Sequence, residues 1–321
     1  MESIQNLKRR IKGVQNIGQI TKAMELVAAT KMRKAQEIAL DSRPYAYAAL
    51  EILASLSRIQ DVPLPELLQG REVRKTLYVL ITSDKGLAGS FNSAVIRTFE
   101  KHIDVGHRTS DIGTGGARDS KSEGRVFLAI GQKAKQYLER RKLPVVQSFV
   151  RAGDFTERHE SDPIAEFIID GYAKGEWDEV VAFSTIFVTA LRQDVMVRQL
   201  LPVSFDKIRE TAEELIPRAG RYSDYLDLDI FSFENGVEYI IEPSPREVLE
   251  KLAPELLKVR LYHWLMEANA SEHSARRMAM KNASDNASDL SETLNVEYNK
   301  SRQAGITNQI IEVTSGAQTL T

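Results

Sequence analysis

The stretch ELLKVRLYHWLMEANASEHSARRMAMKNASDNASDLSETLNVEYNKSRQAGITNQIIEVTSGAQTLT, residues 255–321, contains no proline and only two glycines, Gly305 and Gly316. A continuous helix over it would run about 100 Å, at roughly 1.5 Å per residue, whereas an ordinary domain is about 30 Å across. Such a helix must leave its own domain, and it is too polar to span a membrane. Its apolar stripe is clear at Leu249, Leu252, Leu256, Val259, Leu265 and Met266. Between Ala268 and Ser291 it thins to mostly alanine. A helix this polar needs a partner along its length.

The first forty residues supply one. Ile4, Leu7, Ile11, Val14, Gly18 and Thr21 follow three-four spacing, and Met24, Val27, Ala28 and Met32 continue the stripe after a shift of register. The pattern predicts a coiled-coil seam with a stutter. Antiparallel pairing of the two ends of the chain is the economical arrangement, with the longer C-terminal helix overhanging.

The middle is a different kind of sequence. Thr76 to Ile81, Arg125 to Ile130, Val180 to Ser184 and Val195 to Leu201 are short β-branched apolar runs. Helical patterns lie between them at Ser93 to Lys101, Gln132 to Arg141 and Pro163 to Gly175. Strand alternating with helix predicts an open parallel sheet covered by helices. The expected division is therefore residues 1–72, an N-terminal coiled-coil helix; 73–245, an α/β domain; and 246–321, a C-terminal coiled-coil helix. Two stretches read as additions to the α/β domain. Residues 104–124 are rich in Gly, Ser, Asp and Arg and predict a surface loop, and 204–235 predict a further helix and an edge strand.

The 321 residues are 42% hydrophobic, carry a net charge of -2 and include no cysteine. Disulfides and thiol chemistry are excluded, which fits a reducing compartment. No global basic field favours nucleic acid. The first forty residues are the exception: Lys8, Arg9, Arg10, Lys12, Lys22, Lys31, Arg33 and Lys34 face only Glu2, Glu25 and Glu37, a balance suited to an acidic partner. No stretch has the apolar length of a signal peptide or a membrane span, so a membrane link is expected to go through partners. The five histidines have no metal-site spacing, and GxSxG and HExxH are missing. Ser83-Asp84-Lys85-Gly86-Leu87-Ala88-Gly89-Ser90-Phe91-Asn92 sits between a strand and a helix, where phosphate loops sit, but matches neither GxGxxG nor a P-loop. The plainer reading is a tight turn with Asn92 or Ser93 capping the next helix. On these residues two readings stay open, a nucleotide-binding α/β protein and a coiled-coil scaffold.

Ile17 to Met32 (IGQITKAMELVAATKM) resembles the N-terminal helix of the gamma subunit of F-type ATP synthases. Ser83 to Asn92 is similar to that family's SD(K/R)GL(A/C)G turn. Glu272 to Asn286 (EHSARRMAMKNASDN), Tyr298 to Ala304 (YNKSRQA) and Ile306 to Ala317 resemble its C-terminal helix. The resemblance implies a fold of class α/β: a long antiparallel coiled coil of N- and C-terminal helices plus a Rossmann-like open-sheet domain. It implies a central-stalk rotor subunit that carries torque between the membrane c-ring and the alpha3beta3 hexamer, on the cytoplasmic face of a bacterial inner membrane. The epsilon subunit would be a further partner, catalysis would lie on the beta subunits, and no cofactor is implied. By the same resemblance, Lys22, Met24 and Lys31 would meet acidic loops of the beta subunits, and Arg276, Arg302, Gln303 and Thr307 would touch the surrounding ring. Two departures stand out. Gln309 replaces a usual glutamate, and the absence of cysteine rules out the thiol switch of photosynthetic relatives.

Overall fold

Strands Thr76–Ile81 (β1), Arg125–Ile130 (β2), Val145–Phe149 (β3), Glu179–Phe187 (β4) and Gln193–Leu201 (β5) form one sheet in the order β3-β2-β1-β4-β5. They belong to a computed structural model that describes residues 3–41, 65–108, 124–150, 157–203 and 241–318. The helices are Ile4–Asp41 (α1), Phe91–Arg108 (α2), Gln132–Arg140 (α3), Arg158–Ala173 (α4) and Pro245–Gln318 (α5).

The apolar runs become sheet because both faces are covered, so successive residues of one strand serve opposite cores. Leu77, Val79 and Ile81 of β1 join Val126, Leu128 and Ile130 of β2 under Ile164, Ile168 and Tyr172 of α4 and Leu257, Leu261 and Trp264 of α5. Leu80, Phe127 and Phe183 point to the other side, against Val95 and Phe99 of α2 and Ala134 and Leu138 of α3. The β1–β2 and β1–β4 pairings are parallel, as expected, and β2–β3 is parallel as well. β5 differs: it runs antiparallel to β4. The link through residues 188–192 is too short for a crossover helix, so the chain turns back as a hairpin, closed by Thr189 and Arg192. The sequence reading also missed β3. As an edge strand it is only half covered, and Val146 and Gln147 are exposed, so it lacks the continuous apolar run of its neighbours.

The start of the stretch expected to be a loop from residue 104 is helical instead, because α2 continues to Arg108. Residues 109–123 and the whole of 204–235 lie outside the described residues, as does the stretch from Ala46 to Ile59, whose sequence reads helical.

Arg71 fastens the near end of β1. Its guanidinium stacks at 4.2 Å on Tyr172, donates to the Tyr172 carbonyl at 2.9 Å, and pairs with Asp178 at 2.8 Å. Asp178 in turn accepts the Arg74 and Lys75 amides at 3.0 and 2.9 Å. Burial works to raise the Asp178 pKa, but these amides and Arg71 outweigh it and hold it below the ordinary value.

The chain forms two compact units. One comprises Met1–Thr30 and Arg276–Thr321; the other comprises Lys31–Ala275 and contains the sheet. Each terminal helix contributes residues to both.

Candidate functional site: the paired terminal helices

In the first unit, a Cβ added to Gly305 would stand 3.7 Å from Ile4 Cδ1, and one added to Gly18 would stand 3.4 Å from Ala287 Cβ. Residue numbers rise along α1 as they fall along α5, so the helices are antiparallel. Leu7 and Ile11 bury themselves with Leu294, flanked by Val14 and Tyr298.

The expected stutter is absent. The inward positions of α1 are Leu7, Ile11, Val14, Gly18, Thr21, Glu25, Ala28, Met32 and Ala35, all buried or half-buried. They alternate steps of four and three without a break. Glu25, 8% exposed, fills the place where the sequence reading required an apolar residue, while Val27 is 51% exposed. Lys22 makes this burial tolerable by pairing with the Glu25 carboxylate at 2.9 Å. On α5 the inward set is Met280, Ser284, Ala287, Ser291, Leu294, Tyr298, Ser301 and Gly305, with the same alternation. A strict seven-residue repeat on both helices imposes a left-handed supercoil.

The seam is narrow. A buried apolar cluster lies at Leu7, Ile11 and Leu294, and in mid-seam small and polar residues meet: Gly18, Thr21 and Glu25 on one helix, and Ser284, Ala287 and Ser291 on the other. Beside this slim section runs an open groove of about 1040 Å³, bordered by Val14, Leu26, Ser288 and Val296. Ile17, Ile20 and Leu26 are more than half exposed, and residues 306–315 of α5 are exposed throughout, with Ile306, Ile310, Ile311 and Val313 among them. That section holds a single charged side chain, Glu312.

Six of the seven site residues expected from the sequence fall in this unit, and Lys31 falls in the other. Lys22 borders the groove with its side chain 58% exposed. Met24 and Arg276 are half-buried, as is Lys31. Arg302, Gln303 and Thr307 share one exposed stretch of α5, and the Thr307 hydroxyl donates to the Gln303 carbonyl at 2.9 Å. Gln309 is exposed there as well. Sequence reasoning missed Glu25 and the exposed Ile17, Ile20 and Leu26. The signal lay in the unbroken four-three count, which sets them in or out whatever their polarity.

The Ser83–Asn92 loop uses its polar groups on the fold. Asn92 does not cap α2. Its carbonyl oxygen accepts the Ser83 amide at 3.0 Å and its amide donates to the Ser83 hydroxyl at 2.7 Å, tying α2 back to the end of β1. The Ser93 hydroxyl donates to the Ser90 carbonyl at 3.0 Å. The N-terminus of α3, a natural anion site, is filled by the same strand end. The amides of Gln132, Lys133 and Ala134 donate to Asp84 Oδ1 at 2.9 Å, Ser83 O at 3.1 Å and Thr82 Oγ1 at 2.7 Å. Asp84→Ala should lose about 1 kcal/mol of stability, as a helix cap does. Urea unfolding measures this, and an unchanged midpoint would refute the capping role.

A slim antiparallel two-helix seam, joined in one chain to a sheet where the α3 N-terminus is filled by Asp84, Ser83 and Thr82 oxygens, defines a protein built on a paired-helix stalk and an α/β unit. The comparisons carry the same message. The profile of the ATP synthase family matches residues 3–320. An ATP synthase gamma chain of Moorella thermoacetica is 36% identical, with both chains covered in full. One from Roseiflexus castenholzii is also 36% identical, covering 100% of this chain and 99% of its own. A chain of the Euglena gracilis mitochondrial ATP synthase in rotational state 3 shares the fold with a TM-score of 0.61 at 17% identity, covering 99% of this chain and 94% of its own. The chain belongs to the ATP synthase family, among its gamma chains. Its role is that of a central-stalk subunit with no catalytic centre of its own, and no helix among the described residues is long and apolar enough to cross a membrane.

Proposed function

We propose that the paired helices turn inside the alpha3beta3 hexamer while the α/β unit meets the epsilon subunit and the c-ring, at the cytoplasmic face of a bacterial inner membrane. Torque from ion flow would drive ATP synthesis on the beta subunits, and ATP hydrolysis would drive the reverse. The observation that carries this reading is the end of α5. Residues 306–315 are exposed, carry apolar side chains and have one charge, so they suit an apolar sleeve in which few directional contacts hold any one angle. Lys22, Met24, Lys31, Arg276, Arg302, Gln303 and Thr307 are the proposed contacts with the ring. Lys22 already pairs with Glu25, so an incoming carboxylate would compete for it, as suits a catch that must let go.

Co-purification with a hexamer of two alternating larger subunits tests the assembly. Arg302→Ala combined with Gln303→Ala should lower coupled ATP synthesis by between about two- and tenfold, because exposed polar contacts are individually weak. The chain should still fold. Parental synthesis rates in that double variant would remove those two residues from the contact set.

A further inference from the structure

The α/β unit contains an ion pair buried between β5 and α5. Arg198 on β5 is 5% exposed and Glu267 on α5 is 9% exposed, and they meet at 3.3 Å. The Arg198 guanidinium lies over the Trp264 ring at 5.3 Å, the Arg260 guanidinium approaches that ring at 4.8 Å, and His263 Nε2 stands 3.4 Å from the second Glu267 oxygen. Around them the contact of α5 with the sheet is apolar: Leu257, Leu261, Leu265 and Ala268. A buried pair is a poor way to gain stability, since apolar residues of like volume often serve as well or better. Its best-attested use is to fix register. Apolar packing is non-directional, so a helix held by it alone can turn by re-seating side chains. Turning α5 about its axis here would carry the Glu267 carboxylate away from Arg198 and leave both charges buried without each other.

A second directional contact lies two turns further along. The Ser274 hydroxyl, fully buried, donates to the Ala190 carbonyl in the β4–β5 turn at 2.8 Å and accepts from the Gln193 amide at 3.3 Å. Both contacts join α5 to the same hairpin, so they resist the same motion.

We propose that Arg198 and Glu267, backed by Ser274, are positioning residues that lock α5 against rotation on the sheet, so that torque applied to the α/β unit enters the long helix without slip. This rests on the shaft reading above. The test uses the reconstituted complex with Arg198→Met plus Glu267→Leu, an apolar pair of similar bulk. Two readouts are taken: the angular variance of a bead on the α/β unit with the hexamer immobilised, and hydrogen exchange of residues 260–270. We expect a parental melting temperature, angular variance raised about twofold and faster exchange at 260–270, because apolar replacement spares stability but not register. Parental variance, or parental exchange, overturns the lock. Should the double variant fail to assemble, Ser274→Ala, which removes a single oxygen, takes its place with the same criteria. If the parental complex itself does not rotate with ATP, the shaft reading falls, and the exchange measurement alone decides the lock.

Discussion

Gly131→Ala should destabilise the α/β unit by about 3 kcal/mol or more, the scale of a strained backbone combined with a core clash. Gly131 joins β2 to α3 at φ 96 and ψ 147, a region that only glycine enters without strain. A Cβ there would stand 2.2 Å from the Thr82 carbonyl oxygen and 2.8 Å from its carbon. The Thr82 backbone cannot yield cheaply. Its amide donates to the Ile130 carbonyl at 2.9 Å, its hydroxyl receives the Ala134 amide at 2.7 Å, and the Gly131 amide itself donates to the Phe149 carbonyl at 2.8 Å. Moving either side breaks the join of three strands and one helix. Gly13→Ala is the matched control. Its Cβ would meet nothing within 4 Å on an exposed stretch of α1, so it should gain about 0.5–1 kcal/mol from helix propensity. Urea unfolding of both variants decides the matter, and a loss below about 1 kcal/mol in Gly131→Ala would show that the turn is not constrained as described.

Leu294→Ala should open the helix pair while the sheet stays folded. Removing a buried leucine costs about 3–5 kcal/mol through lost transfer energy and the cavity left behind. In most cores that loss is spread over many neighbours. Here the buried apolar cluster of the pair consists of Leu7, Ile11 and Leu294, with Val14 and Tyr298 against it. The adjoining stretch of the seam, Gly18, Thr21, Ser284, Ala287 and Ser291, is small or polar and has little to give. The result is local opening, not global unfolding. Amides of residues 280–305 should exchange about a hundredfold faster, the equivalent of roughly 3 kcal/mol. Those of β1, β2 and β4 should keep their parental protection. Uniform acceleration in both units would mean that they unfold as one, and unchanged exchange in the pair would mean that Leu294 does not hold it.

These two positions differ in how visible they were. β1 and β2 match their apolar runs residue for residue, because strands buried on both faces leave an unbroken β-branched signature. β3 was invisible for the opposite reason, being an edge strand with exposed Val146 and Gln147. The direction of β5 lay in the shortness of residues 188–192, not in its own composition. The helix pair was legible from its spacing, but hydrophobicity misled the reading at one place. Glu25 is buried and Val27 is not, so a count of apolar residues reports a stutter where the geometry keeps one repeat. Arg71, Asp178, Arg198 and Glu267 carry no local pattern at all. Each meets its partner across 69 to 107 residues of sequence, a distance over which no periodicity reaches. Glu267 illustrates what burial then does. Desolvation alone would raise its pKa, but His263 and Arg198 reverse the sign and hold the carboxyl below its ordinary value.

Ile306, Ile310, Ile311 and Val313 are each half or more bare to solvent. Bare aliphatic groups grouped this closely make a surface adhesive. A cell that made this polypeptide faster than its companions would accumulate copies with a sticky end, open to clumping and to proteases. Matched rates of synthesis, or a chaperone that shields those last turns, would remove that hazard.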